Sequence, residues 1–155
     1  SDSWAFCPAR RLARWATAAG QDAFLYYWTY PPKGVNGQYP DLAHHACEQP
    51  FVFHVLAENA AELAEDHGKY MIQESERPFS AAVVGYWKSF AKLGHPQGQA
   101  LWKRYQEQDQ ISLVLGDPSG SSDSMEIKPV AKLRSAKCDL WDRLFDRAAP
   151  PDVSL

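Results

Sequence analysis

Ala23-Phe24-Leu25-Tyr26-Tyr27-Trp28-Thr29 is the most apolar segment of this 155-residue chain. It is rich in aromatic side chains and has no polar alternation, the pattern of a strand covered on both faces, as in a parallel sheet flanked by helices. Pro31-Pro32 end it, because proline cannot donate to a sheet ladder. On its N-terminal side, Cys7 to Gly20 reads as a helix. Pro8 suits the first turn, where its missing N–H has no intrahelical partner. Leu12, Trp15, Ala16 and Ala19 fall at helical spacing and are expected to face the core, and Gly20 suits the C-terminal cap. Arg10, Arg11 and Arg14 also fall at helical spacing and read as a solvated face. A helix, a short turn and a buried strand give the rhythm of an α/β fold.

Downstream of the strand, Lys33 to Ala43 is a loop broken by Gly34, Asn36, Gly37 and Pro40. Glu48 to Leu56 reads as a short helix or helical turn, Asn59 to Asp66 as a polar helical piece, and Lys69 to Arg77 as ambiguous and exposed. Ser80 to Leu93 is the clearest helix, with Ser80 as N-cap. Val83, Trp87, Phe90 and Leu93 mark its apolar stripe, and Gly94 ends it before Pro96. Ile111 to Leu115 reads as a short strand and Gly116 to Ser124 as a Gly/Ser loop. Met125 to Val130 alternates like an edge strand, where Pro129 is tolerated. A last helix from about Ala136 to Ala148 is expected to bury Cys138, Trp141, Leu144 and Phe145, before Pro150-Pro151 close the fold.

The formal charge of −3 is spread over interspersed acids and bases, without the clustered Lys and Arg of a nucleic-acid footprint. No apolar run approaches the roughly 18 residues that span a bilayer. Ser1-Asp2-Ser3-Trp4 has neither the charged start nor the apolar core of a signal peptide, and there is no initiator Met. The start therefore reads as lying inside a longer chain. Cys7, Cys47 and Cys138 allow one disulfide and one further thiol. Six Trp, seven Tyr and seven Phe supply much large apolar surface, for an aromatic core or for a missing neighbour.

The chemistry-bearing stretch is Ala43-His44-His45-Ala46-Cys47-Glu48-Gln49-Pro50-Phe51-Val52-Phe53, just behind the apolar strand. Its histidines and cysteine are too close together to converge on a metal without a fourth ligand, and no C-x-x-C exists, so neither metal nor cofactor is expected. A histidine on a loop at a strand's C-terminal edge can reach both a nucleophile's hydroxyl and an orienting carboxylate. Either His44 or His45 could serve, but at most one of them, since adjacent side chains point different ways. The chain has no G-x-S-x-G elbow; Gly116-Asp117-Pro118-Ser119-Gly120 has the wrong spacing. In α/β-hydrolases the order is Ser, then Asp or Glu, then His, so a C-terminal part of one would carry the histidine and lack the serine.

Four motifs then stand in the order found in one family. Phe6-Cys7-Pro8 resembles a Cys-Pro helix start. Phe24-Leu25-Tyr26-Tyr27-Trp28 resembles a Tyr-Leu-Tyr-aromatic strand. His45-Ala46-Cys47-Glu48-Gln49-Pro50-Phe51-Val52-Phe53 resembles a His-Gly-x-Glu-[Leu/Ile]-Pro-[Phe/Tyr]-x-Phe-Gly motif. Tyr86-Trp87-Lys88-Ser89-Phe90-Ala91-Lys92-Leu93-Gly94-His95-Pro96 resembles Tyr-Trp-x-x-Phe-Ala-x-x-Gly-[Asp/Asn]-Pro. Trp102 with Tyr105, and Lys137-Cys138-Asp139-Leu140-Trp141, match the ending. The chain is similar to the C-terminal part of the type-B carboxylesterases, a family that includes cholinesterases, bile-salt-type lipases and non-catalytic neuroligins.

That resemblance implies the C-terminal portion of one α/β-hydrolase domain over residues 1–155, a mostly parallel sheet flanked by helices and incomplete on its own. It assigns the triad histidine to His45, a supporting carboxylate to Glu48 and a substrate wall to Phe51 and Phe53. Serine, acidic partner and oxyanion loop would come from the N-terminal remainder of the hydrolase, the expected partner beside a small ester. It also implies a Cys7–Cys138 disulfide, which in the chain-entropy model is worth roughly 4–5 kcal/mol, and hence a secreted or other oxidising location. Cys47 would then be a packed thiol. Two family glycines are replaced, by Ala46 and His54, and Ala46 is tolerable where φ is negative. The function implied is a serine-type carboxylic-ester hydrolase. The alternative is a catalytically inactive, cholinesterase-like binding or adhesion module.

Overall fold

A computed structural model of the protein describes residues 2–31, 43, 45–54, 72–117 and 124–148. His44, the loop expected at 33–42, the helical piece at 59–66, the Gly/Ser loop at 118–123 and the closing prolines lie outside the described residues. The chain divides into two compact units.

The larger unit comprises Tyr26–Trp102 and Leu113–Pro129. It holds nearly all of a three-stranded sheet of order β1-β2-β3, from β1 (Leu25–Trp28), β2 (Ser112–Leu115) and β3 (Ile127–Val130). Every residue of β2 is buried, which suits its apolar run Leu113–Leu115. β3 ends the sheet, as a strand carrying Pro129 should. Beyond β1 the chain stays tied to β2, because the N–H groups of Thr29 and Tyr30 both donate to the Leu115 carbonyl, at 2.9 and 3.2 Å. Gly116 follows with φ +113, and a Cβ there would lie 2.5 Å from the Tyr30 nitrogen. Glycine is therefore demanded twice at this position, by conformation and by close approach.

Two helices complete this unit. α2 (Gln49–Phe53) starts with Pro50 in its first turn. α3 (Arg77–Leu93) starts three residues before the expected cap, again with proline in its first turn, and ends at Gly94 with φ 74. Ser80 is thus an interior, buried residue and not the N-cap; its hydroxyl donates to the Phe51 carbonyl at 3.1 Å. The inward stripe of α3 is Phe79, Val83 and Tyr86, while Phe90 and Leu93 are exposed. The expected stripe was rotated because Tyr86 takes the inner position, its hydroxyl bonding both the N–H and the carbonyl of Ala100 at 2.8 Å. Trp87, half-buried, packs instead against Tyr26 and Trp102, at 5.2 and 5.6 Å between ring centroids.

The segment before α3, expected to be exposed, is so only in part, at Glu74 and Ser75. Ile72 and Glu76 are fully buried around a 3₁₀ turn, Glu74–Glu76. The Glu76 carboxylate accepts from the Gln73 N–H and from the Tyr30 hydroxyl, both at 2.7 Å. Those two bonds replace the water that its burial removes.

The smaller unit comprises Ser1–Leu25, Lys103–Ser112 and Val130–Leu155. A π-helical turn, Asp2–Phe6, leads into α1 (Cys7–Ala18), and α4 (Ser135–Ala148) packs against it. A disulfide joins Cys7 to Cys138. Beside it Arg10, expected on a solvated face, is 1% exposed. Its guanidinium donates to Asp139 at 2.7 Å, Asp142 at 2.6 Å and Gln110 at 3.3 Å. Burial works against its charge, but the two carboxylates outweigh that and hold its pKa above the ordinary arginine value. Arg14 reaches Asp142 at 2.9 Å and Glu107 at 3.0 Å from a more exposed position.

Because α1 turns Cys7, Arg10 and Ala13 inward, Leu12 and Trp15 face outward, Trp15 at 61% exposure. On α4, Cys138 and Asp142 are buried, Trp141 is half-buried, and Leu140, Leu144 and Phe145 are exposed. Of the apolar residues expected inside, Leu12, Trp15, Leu144 and Phe145 thus turn outward and Cys138 is buried as expected. The helices meet through the disulfide, ion pairs and the Arg11 guanidinium over the Phe145 ring at 5.4 Å. Removing a buried cation strands its carboxylates, so Arg10→Ala should lower stability by about 3 kcal/mol. Arg14→Ala, at the exposed end of the same cluster, should cost about 1 kcal/mol or less. Denaturant unfolding of the two variants with the disulfide intact checks the contrast; equal losses would contradict it.

Candidate active site

The strand β1 and its extension through Tyr30 form the floor of the histidine stretch. His45 to Glu48 make a turn closed by the Gln49 N–H donating to the Ala46 carbonyl at 3.1 Å. The Glu48 carbonyl then accepts from Phe51 and Val52, both at 3.0 Å, and the chain enters α2. Burial increases along this turn as far as Cys47. His45 is exposed, Cys47 is fully buried and Glu48 is half-buried. Cys47 places its Sγ 4.0 Å from the Tyr30 carbonyl; it lies outside the disulfide, as a packed thiol behind the histidine.

Phe51 is inside an aromatic cluster with Trp28, Tyr30 and Phe79, at centroid distances of 5.1, 5.5 and 5.7 Å. It presents no surface to a ligand. Phe53, two residues on, is 75% exposed. Edge-to-face pairs of this kind each add about 0.5–1.5 kcal/mol beyond area burial, so α2 is held chiefly by Phe51. Tyr26, next along β1, packs edge-on against Trp87 and Trp102. Its hydroxyl pKa is raised, first by burial, then by the charge of Glu48 and of Cys47.

Ala46 has φ 67 and His54 has φ 53. Both are left-handed conformations that favour glycine. Ala46 therefore does not have the negative φ under which it would be unstrained; the turn keeps the left-handed geometry and carries a methyl group in it. At His54, the C-cap of α2, the ring compensates: Nδ1 lies 2.8 Å from Ser80 Oγ. Since the Ser80 hydroxyl donates to Phe51, Nδ1 is the nitrogen that carries the proton and donates here.

Sequence reasoning missed Tyr30, whose carbonyl faces Cys47 of the turn, and Glu76, bonded to the Tyr30 hydroxyl. The signal was the Gln73-x-x-Glu76 spacing, a capping box in which the Gln73 side chain also accepts from the Glu76 backbone. Among the described residues, no group of three or more His, Cys, Asp or Glu could hold a metal ion. No described helix is long and apolar enough to cross a membrane.

A family model described as the carboxylesterase family matches residues 1–141. The chain belongs to the carboxylesterase family. Among curated relatives, the fatty acyl-CoA hydrolase precursor, medium chain, of Anas platyrhynchos is 29% identical over 145 residues, 90% of this chain and 22% of the relative. Carboxylesterase 5A of Felis catus is 31% identical over 140 residues, 86% of this chain and 23% of the relative. A solved PNB esterase superposes with a TM-score of 0.57 at 24% identity, covering 80% of this chain and 22% of its own. The fold is thus the C-terminal portion of an α/β-hydrolase, as the resemblance implied. The chain spans less than a quarter of the length of these carboxylesterase relatives.

Within that family frame, the left-handed alanine gives a direct test of the turn's geometry. Ala46→Gly relieves a Cβ clash worth roughly 1–2 kcal/mol and adds unfolded-chain entropy of about 0.5–1 kcal/mol. The net expectation is a gain of about 0.5–1 kcal/mol in denaturant unfolding of the protein. A loss of stability would mean that the turn does not hold φ near the value described.

Proposed function

We propose that this segment supplies the histidine of a serine-type carboxylic-ester hydrolase. The observation that carries the reading is the placement of His45. It is exposed on a short turn, in the family's histidine motif, with the next odd residue, Cys47, buried as an anchor. In the complete protein His45 takes the proton of the upstream serine as it attacks the ester carbonyl, and returns it to the leaving alcohol. It then activates the water that cleaves the acyl-enzyme. Glu48, half-buried three residues after the histidine, is the supporting carboxylate. Of the two phenylalanines, exposed Phe53 is the one that can line a substrate wall, with Phe51 as packing behind it.

The partner is the N-terminal remainder of the same hydrolase. Support comes from the apolar side chains left outward on α1, α4 and the far end of α3, among them Trp15, Phe145 and Phe90. Support also comes from the share of the relatives that this chain spans. A small ester is the substrate, and the Cys7–Cys138 bond supports a secreted or otherwise oxidising location.

His45→Ala in the complete protein should lower kcat for a p-nitrophenyl ester by about 10⁴-fold or more, since triad members act as a unit. Steady-state kinetics with the serine titrated by a phosphonate measures it. Hydrolysis persisting in His45→Ala would refute the assignment. A complete protein with no hydrolysis at all would favour the inactive, cholinesterase-like binding module instead.

A further inference from the structure

We infer that the buried Tyr30–Glu76 pair is a positioning device for His45, an inference that rests on His45 being the triad histidine. Neither side chain has measurable exposure. Both carboxylate oxygens of Glu76 are held, Oε1 by the Tyr30 hydroxyl and Oε2 by the Gln73 N–H, each at 2.7 Å. The Tyr30 ring is locked edge-on against Phe51 and Phe79, at 5.5 and 5.1 Å. Its backbone is fixed as firmly. The N–H donates to Leu115 at 3.2 Å, and the carbonyl accepts from Trp28 Nε1 at 2.6 Å and faces Cys47 Sγ at 4.0 Å.

Tyr30 therefore has its hydroxyl end on the 3₁₀ turn and its backbone end on both the sheet and the histidine turn. Cys47 is two residues from His45, and Ala46 between them is confined to a left-handed conformation. A shift of Tyr30 is passed to Cys47 and swings the imidazole, with little slack to absorb it. An apolar pair of the same shape would fill this space but forfeit the hydroxyl–carboxylate bond and the bond from the Gln73 N–H. What tyrosine and glutamate add is a fixed location for the turn, and a base misplaced by a fraction of an ångström loses rate without losing binding.

The test uses the complete protein carrying Tyr30→Phe or Glu76→Gln, both close in shape to the original residues. The readouts are kcat and KM with p-nitrophenyl butyrate per titrated active site, thermal unfolding, and histidine imidazole resonances in ¹³C-labelled protein. His95, exposed just past α3, serves as the control resonance. The expected result is a fall in kcat of about 10- to 100-fold with KM within about twofold. The His45 resonance should move while that of His95 does not. Unmoved His45 resonances in both variants would overturn the proposal, whatever happens to unfolding temperature or rate. Hydrolysis that survives His45→Ala sinks the triad reading by itself; the His45 resonances then still decide whether Tyr30 and Glu76 set the position of this turn.

Discussion

Tyr30 is the residue on which the larger unit depends. It has no exposure, its ring meets Trp28, Phe51 and Phe79, and its hydroxyl is bonded to a buried carboxylate. Its backbone continues the pairing of β1 with β2, at a point so close that the next residue of the second strand must be Gly116. Each of these contacts restricts a different neighbour: the sheet, the 3₁₀ turn, α2 and α3. The His45 turn rests on the same residue through Cys47. Protein interiors packed at this density transmit displacement instead of absorbing it, so the position of an exposed histidine is set by buried groups that never meet solvent.

Much of this was legible in the sequence, for identifiable reasons. The segment from Ala23 to Thr29 reads as a strand and β1 forms there, though of the residues of β1 only Leu25 is buried and the three aromatics are half-buried. Gly20 and Gly94 end their helices where left-handed caps are needed, and their φ values are 76 and 74. The burial of individual side chains was less legible. Helical spacing marks an apolar stripe but not the neighbour it meets. α1 and α4 turn a cysteine, an arginine and aspartates toward each other, leaving Leu12, Trp15, Leu144 and Phe145 outward. Arg10 and Glu76 look like surface residues in any composition-based reading, since charged groups are rarely fully buried unless paired. Asp142 lies 132 positions from Arg10, and Tyr30 lies 46 from Glu76, out of reach of local pattern; only the Gln73-x-x-Glu76 spacing is local.

The histidine turn shows both sides of this. The motif gave the residue types, and the structure places His45 outward and Cys47 inward on one short turn. It could not give the backbone. Ala46 and His54 stand where the family motif has glycine, yet both keep the left-handed conformation that glycine would make easy. Strain of this kind, of order 1–3 kcal/mol per residue, persists only where surrounding contacts over-determine it. Here those contacts are the Cys47 anchor and the Ser80 bond to His54.

The central claim is that His45 is the base of a triad completed by the rest of a carboxylesterase-family protein. The most direct measurement is a crystal structure of the complete protein after reaction with a phosphonate ester that labels the nucleophilic serine. The account predicts a His45 imidazole nitrogen about 2.6–3.2 Å from the labelled serine oxygen, with a carboxylate on the other nitrogen. Another histidine at that distance, His44 included, or a label on a residue remote from this turn, would contradict it.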